Sequence, residues 1–491
     1  SGPGVTGRNN SGIWVFGDGL PRLVIRNGDP APGLHDVTLS RTFYLSMNGM
    51  GRVSFASTLD GFGVDSTNDE AIWSDADGSL RMIARLGEPA LGTNASFKDF
   101  FFPSINDAGE IAFAAGVTPG ASGDYGNWVA RDGSLDLVAT RGMEAIGFED
   151  GQKFAVTFGP VLSRNGNIAF GAITDGYSGN PQSPDIRGLW LERNGSIGLV
   201  VRSGMRAPGT DGGSEFTNFS NVTHCGDQVT FIGTLGFNNA IGIEGDGIWR
   251  SNAGDEPQLV LLGQKPPPGL PEDASIFGID ELRSNLTGDV AFTGWLASNS
   301  ASEPETRAIF SLVDENLTVV ATHGGHPPGT PEGTKFWSSS IAQNEGGQVA
   351  FFAMLMGGDV KPPTKPGMPP QLVNDHGIWG QDRSGRLRLV VRAGEMLDVD
   401  DGSEVDLRRI RSIQFRQQGF NANGDLAFSA TFEDGTSGVF ISNLLSVPEP
   451  SSIAAMTSGL AIVLVGFMRC KTRAVRGGHC RGGINYGNFV T

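Results

Sequence analysis

Short apolar runs recur along this chain, each cut off by a turn rich in Gly, Asn or Asp. In EIAFAA (110–115) and its counterparts the residues alternate between two faces, one of them carrying a Phe. That period of two is the mark of a strand with one side in a core. The turns before these strands share a form. NGMGRVSF (48–55), NDAGEIAF (106–113), SRNGNIAF (163–170), HCGDQVTF (224–231), NLTGDVAF (285–292), NEGGQVAF (344–351) and NANGDLAF (421–428) are seven copies of one octapeptide. Their Phe-to-Phe steps are 58, 57, 61, 61, 59 and 77 residues, and the long last step holds the Pro-rich insertion KPPTKPGMPPQ (361–371).

Two further motifs keep step. One is GIW (12–14), AIW (71–73), GNW (126–128), GLW (188–190), GIW (247–249), AIF (308–310), GIW (377–379) and GVF (438–440). The other is L-V-x-R-x-G in copies such as LVIRNG (23–28), LVVRSG (199–204) and LVVRAG (389–394), followed by Pro-Gly loops such as GDPAPG and GMRAPG. In N-x-x-G the Asn side chain is suited to bond the backbone two residues on, and the Gly to take a left-handed conformation in a bulged hairpin. ADGS, RDGS and RNGS mark a second hairpin, and a fourth apolar stretch such as FYLSM (43–47) precedes each N-x-x-G. Each unit therefore predicts about four antiparallel strands.

Seven such units over 1–446 predict an all-β fold, a β-propeller of about seven four-stranded blades; an open β-solenoid is the alternative. Because the body opens and ends on a GIW-type element, a sheet completed by strands from both ends is expected to close the ring. The Phe and Trp columns read as core and the Asp-Gly and Asn-Gly pairs as turns. Function is then to be sought where the copies differ, in the Pro-Gly loops and the odd fourth unit.

Charge narrows the partners. The chain carries −17 overall, but the segment from Val447 onward holds five basic residues and one acid, leaving the body at −21. A body that acidic repels nucleic acid, whose binding needs clustered Lys and Arg. Three cysteines, Cys225, Cys470 and Cys480, make no disulfide framework. The start at Ser1 is that of a fragment or of a chain whose signal peptide has been removed.

The last segment departs from the repeat. VPEPSS (447–452) precedes sixteen uncharged residues, 453–468, and then RCKTRAVR (469–476). The middle run predicts a transmembrane helix, and the basic cluster Arg469, Lys471, Arg473 and Arg476 favours leaving that end in the cytoplasm. Residues 477–491 read as a disordered basic tail. Val447, Pro448, Glu449 and Pro450 with the apolar run and basic cluster resemble the PEP-CTERM sorting signal of exported bacterial proteins. That resemblance implies an exosortase-type membrane protease as partner and a location at the cell envelope, the cell surface or outside the cell. The continuation past the basic cluster departs from that family, whose signal usually ends there. The body, from 12 to 443, resembles the tandem-repeat proteins named for N-x-x-G-x-x-A-F, a group defined by repeat and anchor that brings no activity with it.

Candidate chemistry is sparse. No G-x-S-x-G, P-loop or dinucleotide fingerprint stands in a strand–helix context. His224 beside Cys225 reads as a turn pair, His323 and His326 lack a third metal ligand in sequence, and DVDDGSE (398–404) reads as a solvated acidic turn with calcium as the cofactor alternative. Arg26, Arg85, Arg202 and Arg392 all stand two before the glycine of their repeats. They form either a ring that binds an anion or a set of local pairs with acids such as Glu88 and Glu395. The expectation is a non-enzymatic surface or matrix protein, with extracellular polysaccharide or a surface protein as partner. An extracellular carbohydrate-active or other hydrolytic propeller enzyme is the alternative.

Overall fold

The N-x-x-G turns close hairpins, and the computed structural model shows what each position contributes. It describes residues 6, 9 and 11–446, except 16–21, 120–123, 149–150, 176–186, 211–212, 238–242, 264–271, 298–304, 362–373 and 401–404. The sorting-signal residues, the membrane run and the basic tail lie outside these. In NGMG the Asn48 Oδ1 accepts from the backbone N–H of Met50 (3.0 Å) and of Arg52 (2.9 Å), and Gly51 turns with φ +70°. Asn344 and Asn421 do the same in their copies. The other end of the amide has a longer reach: Asn48 Nδ2 donates to Asn106 O (2.8 Å), Asn106 Nδ2 to Ser163 O (3.2 Å) and Asn344 Nδ2 to Asn421 O (2.9 Å). One side chain thus fixes its own turn and staples it to the turn of the next repeat.

The fold class is the seven-bladed β-propeller, and each repeat supplies four antiparallel strands. The sheet Val37–Met47, Val53–Gly61, Glu70–Ser74, Arg81–Arg85 is typical, with strand order following the chain. In the third sheet the first strand is split into Phe154–Thr157 and Val161–Leu162, both paired with Ile168–Thr174. The described parts of Gly4–Lys265 with Ser275–Leu286 make one compact unit, and those of Pro266–Ala274 with Thr287–Ile484 a second.

Within each unit the aromatic columns are core. Trp73, Trp128, Trp190, Trp249 and Trp379 are fully buried, and Phe170 stacks on Trp190 at 6.0 Å as Phe351 does on Trp379 at 6.3 Å. A buried indole N–H needs an acceptor; Trp73 donates to Ser57 Oγ at 2.9 Å, and for the other four the glycine-closed loop after a fourth strand supplies it. Trp128 donates to Leu91 O, Trp190 to Ile146 O, Trp249 to Pro208 O and Trp379 to Pro328 O, all at 2.9–3.1 Å. The glycine closing that loop is pressed onto the next repeat. A Cβ on Gly147 (φ +91°) would stand 2.6 Å from Leu199 Cβ, and one on Gly209 (φ +79°) 2.8 Å from Leu259 Cβ. The loops therefore also act as clamps on the core.

Two expectations change. Gly12–Val15 and Arg22–Arg26 form a two-stranded ribbon of their own, while Ser437–Ser442 pairs with Leu426–Phe432 in a separate sheet. Among the described residues no sheet joins strands of both ends. The ribbon has no need of such a partner, because Ile13, Val15 and Ile25 are buried in one cluster with Leu39, Phe55 and Trp73. The fourth unit replaces the Asn turn by a two-residue turn at Gly226–Asp227, closed by the Cys225–Gln228 pair. His224 there stands in place of the Asn, and its Nε2 meets Val161 O at 2.9 Å, so its role is also that of a staple. Burial lowers the His224 pKa, and the neutral ring donates its Nε2 proton to that carbonyl.

Candidate functional site

At one end of each sheet the third strand begins, the fourth strand ends and the next first strand starts after its Pro-Gly loop. Register fixes this: Ala71 pairs with Arg85, Gly188 with Arg202, Ala308 with Thr322 and Gly377 with Arg392. The residue three before the core Trp or Phe lies at this end, and it varies: Glu70, Tyr125, Arg187, Asp246, Arg307 and His376. Most are tied to a neighbouring first strand. Arg187 Nη1 donates to Asn218 Oδ1 (3.0 Å), Asp246 Oδ2 accepts from Ile279 N (2.9 Å), and the Tyr125 ring packs edge-on against Phe101 at 5.6 Å. His376 Nε2 accepts from Ile413 N (3.2 Å), so its proton sits on Nδ1 and is donated to Asp375 Oδ1 (2.8 Å). With both nitrogens engaged, His376 serves as a spacer between sheets.

Glu70 is the exception in charge. Burial, followed by the charges of Asp69 and Asp99, pushes its pKa up to about 7, against the opposing pull of the Phe100 N–H. A raised folded-state pKa means the stability from the neutral carboxyl is fully present below about pH 4.5 and is lost as pH rises through about 7. Glu70→Gln should therefore raise the melting temperature at pH 8 and leave it unchanged at pH 4. Equal shifts at both pH values in a thermal melt would contradict this.

The arginine column resolves into local contacts. Arg26 lies 3.7 Å from Asp29, Arg85 Nε donates to Asn68 O (2.8 Å), and the Arg202 guanidinium lies 5.4 Å over the Phe148 ring. Arg392 is almost fully buried, donating to Asp359 (2.7 and 3.1 Å) and to Asn374 O (3.0 and 3.2 Å). Arg85 thus bonds a carbonyl and Arg392 pairs with Asp359, where Glu88 and Glu395 were the expected partners. Asp359 has its pKa lowered by the hydrogen bond from Arg392, and the Glu395 carboxyl has its raised by burial.

In the ladder Val290–Ala297, Glu305–Val313, Asn316–Thr322, the arginine position is taken by Thr322. Thr140, paired with Gly126, holds the same place in an earlier sheet. A small, shallow pocket with a cavity volume of about 20 Å³ lies at Thr322, lined also by Arg307, His323, Trp337 and Ser339 over a floor that includes Phe336 and Phe351. Trp337 is 56% exposed and its ring meets His323 edge-on at 4.9 Å. A bulge presents it: the register between Thr334–Gln343 and Val349–Gly357 slips between Phe336 and Ser338, turning Trp337 outward beside the buried Phe336. The same bulge carries Lys98, Ala155 and Thr217 in other repeats. Sequence reasoning missed Trp337; the visible signal was the doublet Phe336-Trp337, two large aromatics on successive residues of a strand.

The remaining candidates have structural partners. His326 Nδ1 faces Thr334 O at 3.2 Å, and no metal-type cluster of His, Cys, Asp or Glu occurs among the described residues. Cys225 is buried, and Asp398 Oδ1 accepts from Asp400 N and Asp406 N, while 401–404 of the acidic stretch lie outside the described residues.

Comparison with known proteins adds a family. The profile of a family of unknown function, DUF7453, matches residues 1–89, 76–260 and 225–454. The chain belongs to that family. No curated protein matches this chain. Solved structures similar to this DUF7453 protein include an oligogalacturonate lyase in complex with manganese, 10% identical over 84% of this chain and 93% of that one, with a TM-score of 0.40. The β-propeller domain of the Trilobed protease from Pyrococcus furiosus is 9% identical over 82% and 95%, with a TM-score of 0.41. A periplasmic gluconolactonase of Pseudomonas aeruginosa is 15% identical over 78% and 90%, with a TM-score of 0.31. No chemistry passes from these distant likenesses to the present chain.

Proposed function

We propose that this protein is an exported bacterial repeat protein of the cell surface or extracellular matrix, with a binding or structural role. The observation that carries the binding role is Trp337, an indole that a bulge turns outward so that it is 56% exposed beside Thr322 and Ser339. Export and anchoring rest on the sequence of the tail: Val447, Pro448, Glu449, Pro450, the apolar run 453–468 and the basic cluster. An exosortase-type protease is the partner this reading requires, with the membrane as the site of anchoring before processing. The −21 body supports a location away from nucleic acid.

A second reading, a hydrolytic propeller enzyme, draws on Glu70, a carboxyl held near neutrality beside Asp69 and Asp99, as a general acid requires. Protease treatment of intact cells tests the leading reading. Body peptides should be released from cells making the full chain, and released far less when Val447 to Pro450 are replaced by alanine.

A further inference from the structure

We infer that a row of aromatic rings on two adjacent sheets is a binding site for an organic cation, a free quaternary ammonium compound. The site uses none of the residues around Trp337 and goes beyond the role proposed above. Two bulges build the row. The register of Val37–Met47 against Val53–Gly61 slips between Phe43 and Ser46, and that of Ser96–Ile105 against Ile111–Thr118 between Phe101 and Ser104. Tyr44 (φ +52°) and Phe102 (φ +49°) stand in these slips, in the left-handed conformation that bulky residues rarely take. Both are exposed, Phe102 by 61%. Their rings meet at 4.9 Å, so the two sheets share one aromatic edge. The row continues through Phe101, 6.4 Å from Phe102, to Tyr125, 5.6 Å from Phe101.

Carboxylates lie along this row. Asp99 and Tyr125 both stand opposite Gly116, where a Cβ would lie 3.0 Å from Asp99 Oδ2 and 3.4 Å from Tyr125 Cε1. The missing Cβ thus lets the carboxylate and the ring lean over one gap. Glu70, from the neighbouring sheet, reaches the Phe100 N–H, and the charges that act on it are those of Asp69 and Asp99. Its Oε1 is buried with no hydrogen-bond partner. Among the described residues no Lys or Arg forms an ion pair with Asp99 or Glu70. Lys98, next to Asp99 in the chain, is turned outward by a bulge of its own and is exposed.

Charge and shape select the ligand. Ring faces attract a cation, and carboxylates that lack a basic partner add to that attraction, so an anion is disfavoured. Neighbouring planes in the row differ by 52°, 38° and 77°. They make walls for a compact group, where a flat sugar ring asks for one platform. A metal ion asks for several oxygens around one point, and no such cluster occurs among the described residues. A quaternary ammonium carries its charge beneath methyl groups, which pack on ring faces and need no hydrogen bond. In a phospholipid head group a phosphate stands close to the ammonium and meets the same carboxylates, so the free compound fits better.

The test is saturation-transfer NMR on the full chain at pH 8, above the value of about 7 to which the Glu70 pKa is raised. Choline is the probe, and its neutral isostere, with carbon in place of the nitrogen, is the control for shape alone. Choline should receive saturation, and the isostere should bind at least about tenfold more weakly, a difference of about 1.4 kcal/mol. Asp99→Asn removes the charge at constant shape and should weaken choline binding about tenfold or more. Phe102→Gly suits the left-handed backbone at that position, so it should fold, and it should weaken binding by a similar factor. Equal transfer to choline and its isostere would overturn the assignment, as would no transfer to choline. So would undiminished transfer in either variant at an unchanged melting temperature. Sedimentation of the protein with phosphatidylcholine vesicles would overturn the choice of the free compound over the lipid head group.

Discussion

Trp190→Ala should destabilise the protein by about 3–5 kcal/mol in denaturant unfolding, as large aromatic-to-alanine changes in packed cores do. Trp190 is fully buried, with Phe154 edge-on at 4.9 Å, Phe148 at 5.7 Å and Phe170 stacked at 6.0 Å. Its indole N–H also holds the Ile146 carbonyl at 2.9 Å. Truncation therefore empties a cavity and frees the Pro-Gly loop from the core. Trp190→Phe separates the two losses in part, since it keeps one ring, removes the donor and leaves a smaller cavity. It should cost about 1–2 kcal/mol, consistent with the Phe that two repeats carry at this position, Phe310 and Phe440. A cost below about 1 kcal/mol for the alanine variant would mean that the Trp column is not core.

Asn106→Asp is the second large effect. The carboxylate retains an acceptor for the Glu110 N–H (3.0 Å), so the turn itself can still form. It has no proton for Ser163 O, where the amide now donates at 3.2 Å, and it stands against the Glu110 carboxylate that the same amide serves. Asn106 is almost fully buried, so a charge there has little water to meet it. A loss of about 2–3 kcal/mol at pH 7 is expected, the scale for a buried polar group left unpaired. The new carboxyl should have a raised pKa in the folded state, so the deficit should shrink as pH falls through that value. Equal stability of Asn106→Asp and wild type at pH 7 would show that the staple between repeats carries no energy.

These two residues show how much was legible in the sequence. The N-x-x-G turn, its left-handed Gly and the core Phe follow from rules acting within eight residues, and the structure has them as expected. The second contact of the Asn runs 58 residues ahead, from Asn48 to Asn106, and no local rule announces it. The spacing of the Pro-Gly loops was visible, but their use as acceptors for the next Trp was not, because the donor lies about 40 residues downstream (Trp190 to Ile146, for example). The ribbon at 12–26 looked like half of a closing sheet, since strand chemistry does not say which neighbour takes its apolar face. The candidate site was the least legible part. It depends on a bulge that turns Trp337 outward. A one-residue slip of that kind leaves the apolar pattern almost unchanged.

The reading of the whole chain as a surface protein stands or falls on where the body is found. Intact cells making the full-length protein are treated with protease, and the released peptides are identified by mass spectrometry. The account predicts peptides from the repeats, 12–443, in the released fraction, and their loss from it when Val447, Pro448, Glu449 and Pro450 are replaced by alanine. Repeat peptides protected in intact cells and released only on lysis, with or without those four residues, would contradict it.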